Sequence, residues 1–197
     1  MKTTEFYNTK STELIDRYDK ADMSLLHNLF IKYIPLNSSV IDIGFGSGRD
    51  LQFLYDNGYD VWGIDPSSEF IKNAKNRFSD KKDHFFKTSV PFQKELLELN
   101  EKFEAVISIA VWMHFKQSKY EEVVANIVQL TKPDSSIIIS YSDGKRLNDE
   151  RYFEDVNLVY LIELFNSRGF TLVETIKHED SLNRKNISWK TVIFKND

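Results

Sequence analysis

Three closely spaced glycines, Gly44, Gly46 and Gly48, follow the apolar run Val40-Ile41-Asp42-Ile43 and lead into Arg49-Asp50 and a helical pattern. Glycine accepts positive φ and carries no Cβ, so such a turn lets a ligand lie against the backbone of Gly44, Phe45 and Gly46. A second apolar run, Val61-Trp62-Gly63-Ile64, ends in Asp65 and Pro66. A carboxylate at the end of a neighbouring strand can accept both hydroxyl protons of a ribose. Turn and carboxylate together form the two halves of a nucleoside site. The spacing is G-x-G-x-G, and Arg49 stands where the third glycine of the dinucleotide fingerprint would fall, so a pyrophosphate is not the expected ligand. Asp42, just before the first glycine, adds a carboxylate that suits an ammonium or sulfonium cation better than a phosphate.

On these motifs the sequence resembles the class I S-adenosylmethionine-dependent methyltransferases, in their small single-domain form. The resemblance implies S-adenosyl-L-methionine as cofactor and S-adenosyl-L-homocysteine as product. It covers about residues 36 to 195. Phe103 to Ala110 looks like the family's fourth strand, and the following Val111-Trp112-Met113-His114-Phe115 falls where relatives face both cofactor and substrate. That place is the carboxyl end of a central strand, beside the switch point where open α/β sheets bind ligands. His114 and Trp112 are therefore catalytic candidates and Ala110 a cofactor contact, with burial in the core as the alternative for Trp112, Met113 and Phe115. Many relatives end the third strand with an Asp that bonds the adenine amine, but Ser89 or the backbone of Thr88 to Val90 occupies that position here.

In relatives, aromatic residues of the amino-terminal segment close over the methionine end of the cofactor. Tyr7 is accordingly a cofactor contact and Tyr18 a candidate beside the reacting methyl, unless each belongs to the core. Arg49 is placed either to reach the methionine carboxylate or to pack on its helix. Arg146, Arg151 and Arg184 fall after the fifth strand or in the last hairpin turn, segments that border the substrate mouth in this fold. They suggest an anionic group on the substrate, with Arg151 and Arg184 as its candidate ligands.

Methyl transfer is an in-line displacement that asks a protein mainly to align two reactants and exclude water. No metal is required. If the acceptor is a hydroxyl, His114 is the candidate general base, because an unperturbed imidazole pKa of about 6.5 lies near working pH.

These residues need a scaffold, and the rest of the chain supplies its pattern. Apolar positions suggest one long or two short helices over residues 12–34, interrupted near Asp22. Strands and helices then alternate: strand, turn and helix to Asn57-Gly58, strand 59–64 with helix 67–78, strand 84–87, strand 105–109 with helix 117–130, and strand 137–141. Such alternation means a parallel sheet covered on both faces. A helix over 154–168 and two strands, 171–177 and 187–194, should close it as an antiparallel hairpin. The whole resembles a Rossmann-like, doubly wound seven-stranded sheet of order 3-2-1-4-5-7-6 with strand 7 antiparallel. Residues 1–35 would form a helical lid segment on a single core domain, 36–197.

At 197 residues and 41% apolar, one sizeable core is expected. Lysine and arginine total 26 against 30 acidic residues, a net charge of -4 that gives no general pull toward nucleic acid or anionic membrane. Cysteine is absent, which removes disulfides, thiolate metal sites and cysteine nucleophiles. No run approaches the roughly 20 apolar residues of a membrane span, and the amino terminus lacks a signal-peptide core. The expectation is a cytoplasmic monomer or homodimer acting on a small molecule. A non-catalytic cofactor-binding protein and an NAD-dependent oxidoreductase are the alternatives.

Overall fold

A computed structural model describes residues 3–92, 101–144, 146, 149–180 and 187–196. The sheet has seven strands: β1 (Ser39–Ile43), β2 (Asp60–Asp65), β3 (Phe85–Lys87), β4 (Phe103–Ile109), β5 (Thr131–Asp143), β6 (Phe170–Glu179) and β7 (Ser188–Asn196). Their order is β3-β2-β1-β4-β5-β7-β6. The first five run parallel, and β7 lies antiparallel between β5 and β6. This is the Rossmann-like sheet expected from the sequence.

Helices α1 (Thr3–Asp19), α2 (Ser24–Tyr33), α3 (Arg49–Asp56), α4 (Ser68–Arg77), α5 (Tyr120–Gln129) and α6 (Leu158–Asn166) cover it. β1 is buried from Val40 to Ile43, as a parallel strand covered on both faces should be. Two apolar clusters flank the sheet. Leu26, Phe30, Leu51, Leu54, Phe70 and Phe78 pack on one face, and Trp112, Val123, Ile127, Leu161 and Phe165 on the other. Among the described residues no helix is long and apolar enough to cross a membrane.

Several boundaries move from their sequence positions for local reasons. The amino-terminal pattern resolves into two helices, because the chain turns between Asp19 and Ser24. The Ser67 hydroxyl accepts from Phe70 N and so caps α4, which starts one residue later than the periodicity implies. The helix expected from residue 154 begins only at Leu158, because the Asn157 side chain accepts from Tyr160 N and caps it there. The segment before it stays non-helical, and from it Arg151 reaches Tyr7 and the Tyr152 carbonyl reaches His114.

Candidate cofactor and acceptor site

The glycine turn joins β1 to α3 at the carboxyl end of the sheet. Gly44 N donates to Ile64 O at 2.8 Å, tying the turn to the end of β2. Gly44, Gly46 and Gly48 have φ of 77°, 58° and 82°. At Gly44 a Cβ would come within 2.6 Å of Val111 Cγ2, so the glycine is required by its neighbour as well as by its backbone. At Gly46 a Cβ would meet nothing within 4 Å, because that residue faces open space.

Asp65 closes the other half. Its Oδ2 accepts from Gly46 N at 3.1 Å and its Oδ1 from Ser67 N at 2.8 Å, which leaves the remaining lone pairs of both oxygens for a ligand. Burial raises its pKa to about 7, against the lowering effect of those two amides. Asp42 is also buried, and its Oδ1 has no hydrogen-bond partner. Its pKa lies well above the ordinary carboxylate range, first because of burial and then because Asp50 and Asp65 stand nearby. Asp50 behaves oppositely. Burial opposes its charge, but Arg49 and His27 outweigh this and its pKa falls; His27 Nε2 lies 2.9 Å from Asp50 Oδ1.

Ala110 ends β4 at φ 64°, a left-handed conformation uncommon for a residue with a Cβ, and donates to Ser140 O at 2.8 Å. A short helical turn, Trp112–His114, follows. His114 Nδ1 lies 2.7 Å from Tyr152 O and its Nε2 3.0 Å from Tyr7 Oη. Arg151 donates from Nη1 to Tyr7 Oη at 3.1 Å and clasps Asp149 with Nε at 2.8 Å and Nη2 at 2.6 Å. Burial, with Arg151 and Arg146 adding positive charge, drives the His114 pKa down to about 4. This lies below the unperturbed value of about 6.5, because a buried imidazole with two guanidiniums near it resists protonation.

Every described candidate except Trp112 lines one cavity of about 350 Å³. The turn, Asp42, Asp65, Pro66 and Ser89 form one end, with Ser89 at an exposed rim. Tyr7 and Tyr18 join the lining from α1 and Ala110 from the end of β4, while His114 and Arg151 meet at the Tyr7 hydroxyl. Arg49 lies between, donating from Nη1 to Tyr18 O at 3.0 Å.

Trp112 is a correction. It is fully buried against Phe115, Tyr120 and Phe165, on the α5 and α6 side. The three residues of a 3₁₀ turn point about 120° apart, so with His114 directed to the cavity Trp112 faces elsewhere, into the core. Trp112→Ala should therefore cost about 3–5 kcal/mol of stability, read by chemical denaturation, with ligand affinity of the folded fraction unchanged. Arg184 lies outside the described residues.

Sequence reasoning missed Asp50 with His27, the Asp149 clasp, and Thr3 and Thr4 on the cavity wall. Asp50 and His27 stand on different helices and meet only on folding, whereas Asp149 clasps Arg151 two residues along the same segment, a local pairing that carries no spacing signature of its own. Arg146, named among three arginines, does line the cavity, donating to Ser142 Oγ and lying 4.2 Å from the Phe153 ring centroid. Among the described residues, no group of three or more His, Asp or Glu side chains is arranged to hold a metal ion.

The seven-stranded order and a site made from a glycine turn and a strand-terminal carboxylate define an adenosyl-binding type of Rossmann-like protein. The methyltransferase-domain family matches residues 15–175, most of the chain, and the protein belongs to that family, as a class I S-adenosylmethionine-dependent methyltransferase. An uncharacterized methyltransferase of Schizosaccharomyces pombe is 31% identical over 122 residues, 59% of this chain and 81% of the relative. Among solved structures, the chain is similar to the Burkholderia thailandensis 1,6-didemethyltoxoflavin-N1-methyltransferase with bound 1,6-didemethyltoxoflavin and S-adenosylhomocysteine. That match has a TM-score of 0.72 at 17% identity and covers 98% of this chain and 87% of the other. Magnesium protoporphyrin IX methyltransferase from Synechocystis, with bound S-adenosylhomocysteine, matches with a TM-score of 0.73 at 14% identity, covering 98% and 97%. At these identities the likeness concerns the fold.

Proposed function

We propose that this protein binds S-adenosyl-L-methionine in the cavity and directs methyl transfer to an oxygen or nitrogen of a small-molecule acceptor. The observation that carries the reading is the pair of buried carboxylates flanking the glycine turn. Asp65 has lone pairs left for a diol, and Asp42 lines the same cavity with a buried Oδ1 that has no hydrogen-bond partner, a carboxyl that favours a cation beside it. When bound, the cofactor supplies a sulfonium-activated methyl that needs no metal and no covalent intermediate.

The chain's own residues divide the remaining work. Asp65 holds the ribose hydroxyls, and Gly44, Phe45 and Gly46 offer backbone along the cofactor. Phe45 acts through its main chain, because its ring is buried over Gly63. Asp42 faces the ammonium or sulfonium charge, Arg49 the methionine carboxylate, and Ser89 with Pro66 and Ala110 the adenine and its surroundings. Helix α1, with Tyr7 and Tyr18, covers the reacting methyl and excludes water. At the opposite end, Arg146 and Arg151 make the acceptor half positive and favour an anionic group there, with Asp149 offsetting part of that charge. The cavity of about 350 Å³ sits at the low end of the ~300–1,000 Å³ range of small-molecule sites, which favours a compact acceptor beside the cofactor. The net charge of -4 fits the same picture: a small-molecule substrate, no nucleic-acid or membrane partner, and a cytoplasmic monomer or homodimer.

Thermal-shift and calorimetric titration with S-adenosylmethionine, S-adenosylhomocysteine and NAD test the cofactor. A true ligand at 100 times its Kd should add about 2.7 kcal/mol of stability and NAD almost none. Label transfer from methyl-labelled S-adenosylmethionine to a panel of small hydroxy- and aminocarboxylic acids tests the acceptor class. Binding of NAD in preference to both adenosyl compounds would overturn the reading, and binding with no label transfer to any acceptor would leave a non-catalytic binding protein.

A further inference from the structure

The hydrogen bonds around His114 have a direction that can be worked out from their two ends. Arg151 carries only donors, so Tyr7 Oη must accept from it at 3.1 Å. The Tyr152 carbonyl only accepts, so the His114 Nδ1 lying 2.7 Å away must carry a hydrogen. A neutral imidazole then has its free lone pair on Nε2, and the group 3.0 Å from that lone pair is the Tyr7 hydroxyl, which must donate. The basic nitrogen of His114 is thus already occupied. What remains open toward the cavity is the second lone pair of Tyr7 Oη.

We propose that Tyr7 is the group that meets the acceptor's proton and relays it to His114, which is the proton sink behind it. This rests on the methyltransferase reading above. As the acceptor atom bonds to the methyl carbon and the carbon–sulfur bond breaks, the acceptor's proton moves to Tyr7 Oη, and the proton Tyr7 held moves to His114 Nε2. Tyr7 is neutral before and after. The sulfonium becomes a thioether as the imidazole becomes an imidazolium, so the cavity carries one positive charge on either side of the step. That exchange accounts for how an imidazole reluctant to charge in the empty site can accept a proton during the reaction: the competing cation disappears in the same event. Arg151, held by Asp149, fixes the Tyr7 oxygen and eases the passage of its proton, while burial keeps the hydroxyl protonated at rest against the lowering effect of that guanidinium.

The charged and titratable groups facing His114 are Tyr7 from α1 and Arg146, Asp149 and Arg151 from the segment after β5. Tyr7→Phe keeps the ring, which lies edge-on to His114 with centroids 6.0 Å apart, and removes only the hydroxyl. Imidazole NMR on the ligand-free protein, with the four histidines separated by a His114→Gln control, gives a readout that needs neither cofactor nor acceptor. In the wild type His114 should remain neutral with the hydrogen on Nδ1. In Tyr7→Phe its apparent pKa should rise by about one unit or more, because the bond favouring the neutral form is lost. With the best acceptor from the label-transfer panel, Tyr7→Phe should lower kcat by at least about tenfold at unchanged S-adenosylhomocysteine affinity, and adding His114→Gln should cause little further loss.

An unchanged His114 titration in Tyr7→Phe would overturn the proposal. So would a rate that is unchanged or raised, which would mean Tyr7 merely blocks the base and the acceptor displaces it. Either result with intact S-adenosylhomocysteine binding leaves the methyltransferase reading standing, whereas absence of that binding in the wild type removes both.

Discussion

Asp65→Ala should weaken binding of S-adenosylhomocysteine by at least about 100-fold, the largest effect expected of any single change in the site. Two hydrogen bonds from ribose hydroxyls to a buried carboxylate are each worth about 1.5–3 kcal/mol, and a tenfold change in Kd needs 1.4 kcal/mol. The two amides that Asp65 now satisfies, Gly46 N and Ser67 N, would also lose their partner, so the turn itself loosens. Calorimetry on the folded variant measures the effect directly, and a Kd within threefold of wild type would contradict the ribose assignment.

The same residue sets a pH dependence. Its pKa of about 7 in the ligand-free protein means that near neutral pH a large fraction carries a proton. A diol donates best to the ionised form, so binding should release a proton and tighten as pH rises through about 7, then level off. Asp42, whose pKa burial also raises, adds to that trend in the same direction when a cation binds beside it. For stability the sign is the reverse. A carboxyl whose folded pKa lies above its unfolded value of about 3.9 costs stability as pH climbs from about 4 toward 7, because the unfolded chain ionises first. The ligand-free protein should therefore lose stability over that window, and the thermal shift produced by S-adenosylhomocysteine should grow from pH 6 to pH 8.

His114→Ala should lower kcat by about 100-fold while changing cofactor affinity by less than about threefold, since general base contributions typically span 10²–10⁴. The imidazole reaches the cavity end that holds Arg146 and Arg151, well apart in role from the Asp65 half. Its pH signature separates it from the carboxylate. A base must be unprotonated, and His114 protonates only as pH falls through about 4 in the ligand-free state. At saturating cofactor, kcat for an acceptor that does not itself titrate should thus stay flat between pH 8 and about pH 5.5. The limb near pH 7 should appear only in terms that include cofactor binding. A kcat limb near 6.5 that vanishes in His114→Ala would show instead that the imidazole is solvated during turnover.

The contrast between Asp65 and Trp112 shows what could be read before the fold was known. Asp65, the glycine turn and the strand that carries them are local features: a run of apolar residues, a set of positive φ values and a carboxylate at a fixed place after the next strand. Each is encoded over a handful of neighbouring residues, and the strand order follows once the alternation of elements is recognised. Trp112 and His114 are neighbours in an apolar run, and nothing in their types says which one turns toward the cavity. That choice depends on the short helical turn after Ala110 and on the pockets waiting on either side.

The chain of groups Arg151, Tyr7, His114 and Tyr152 is the extreme case, since its members lie on α1, on the turn after β4 and on the segment before α6. The pKa of His114 was likewise invisible, because it is set by burial and by two guanidiniums from distant sequence. The amino-acid sequence alone determined the scaffold and the turn and carboxylate of the proposed cofactor half, where the necessary geometry is a property of consecutive backbone. Tertiary structure decided how His114, Tyr7 and Arg151 are joined in the proposed acceptor half, because hydrogen-bond partners and local dielectric are properties of whatever elements happen to be packed together.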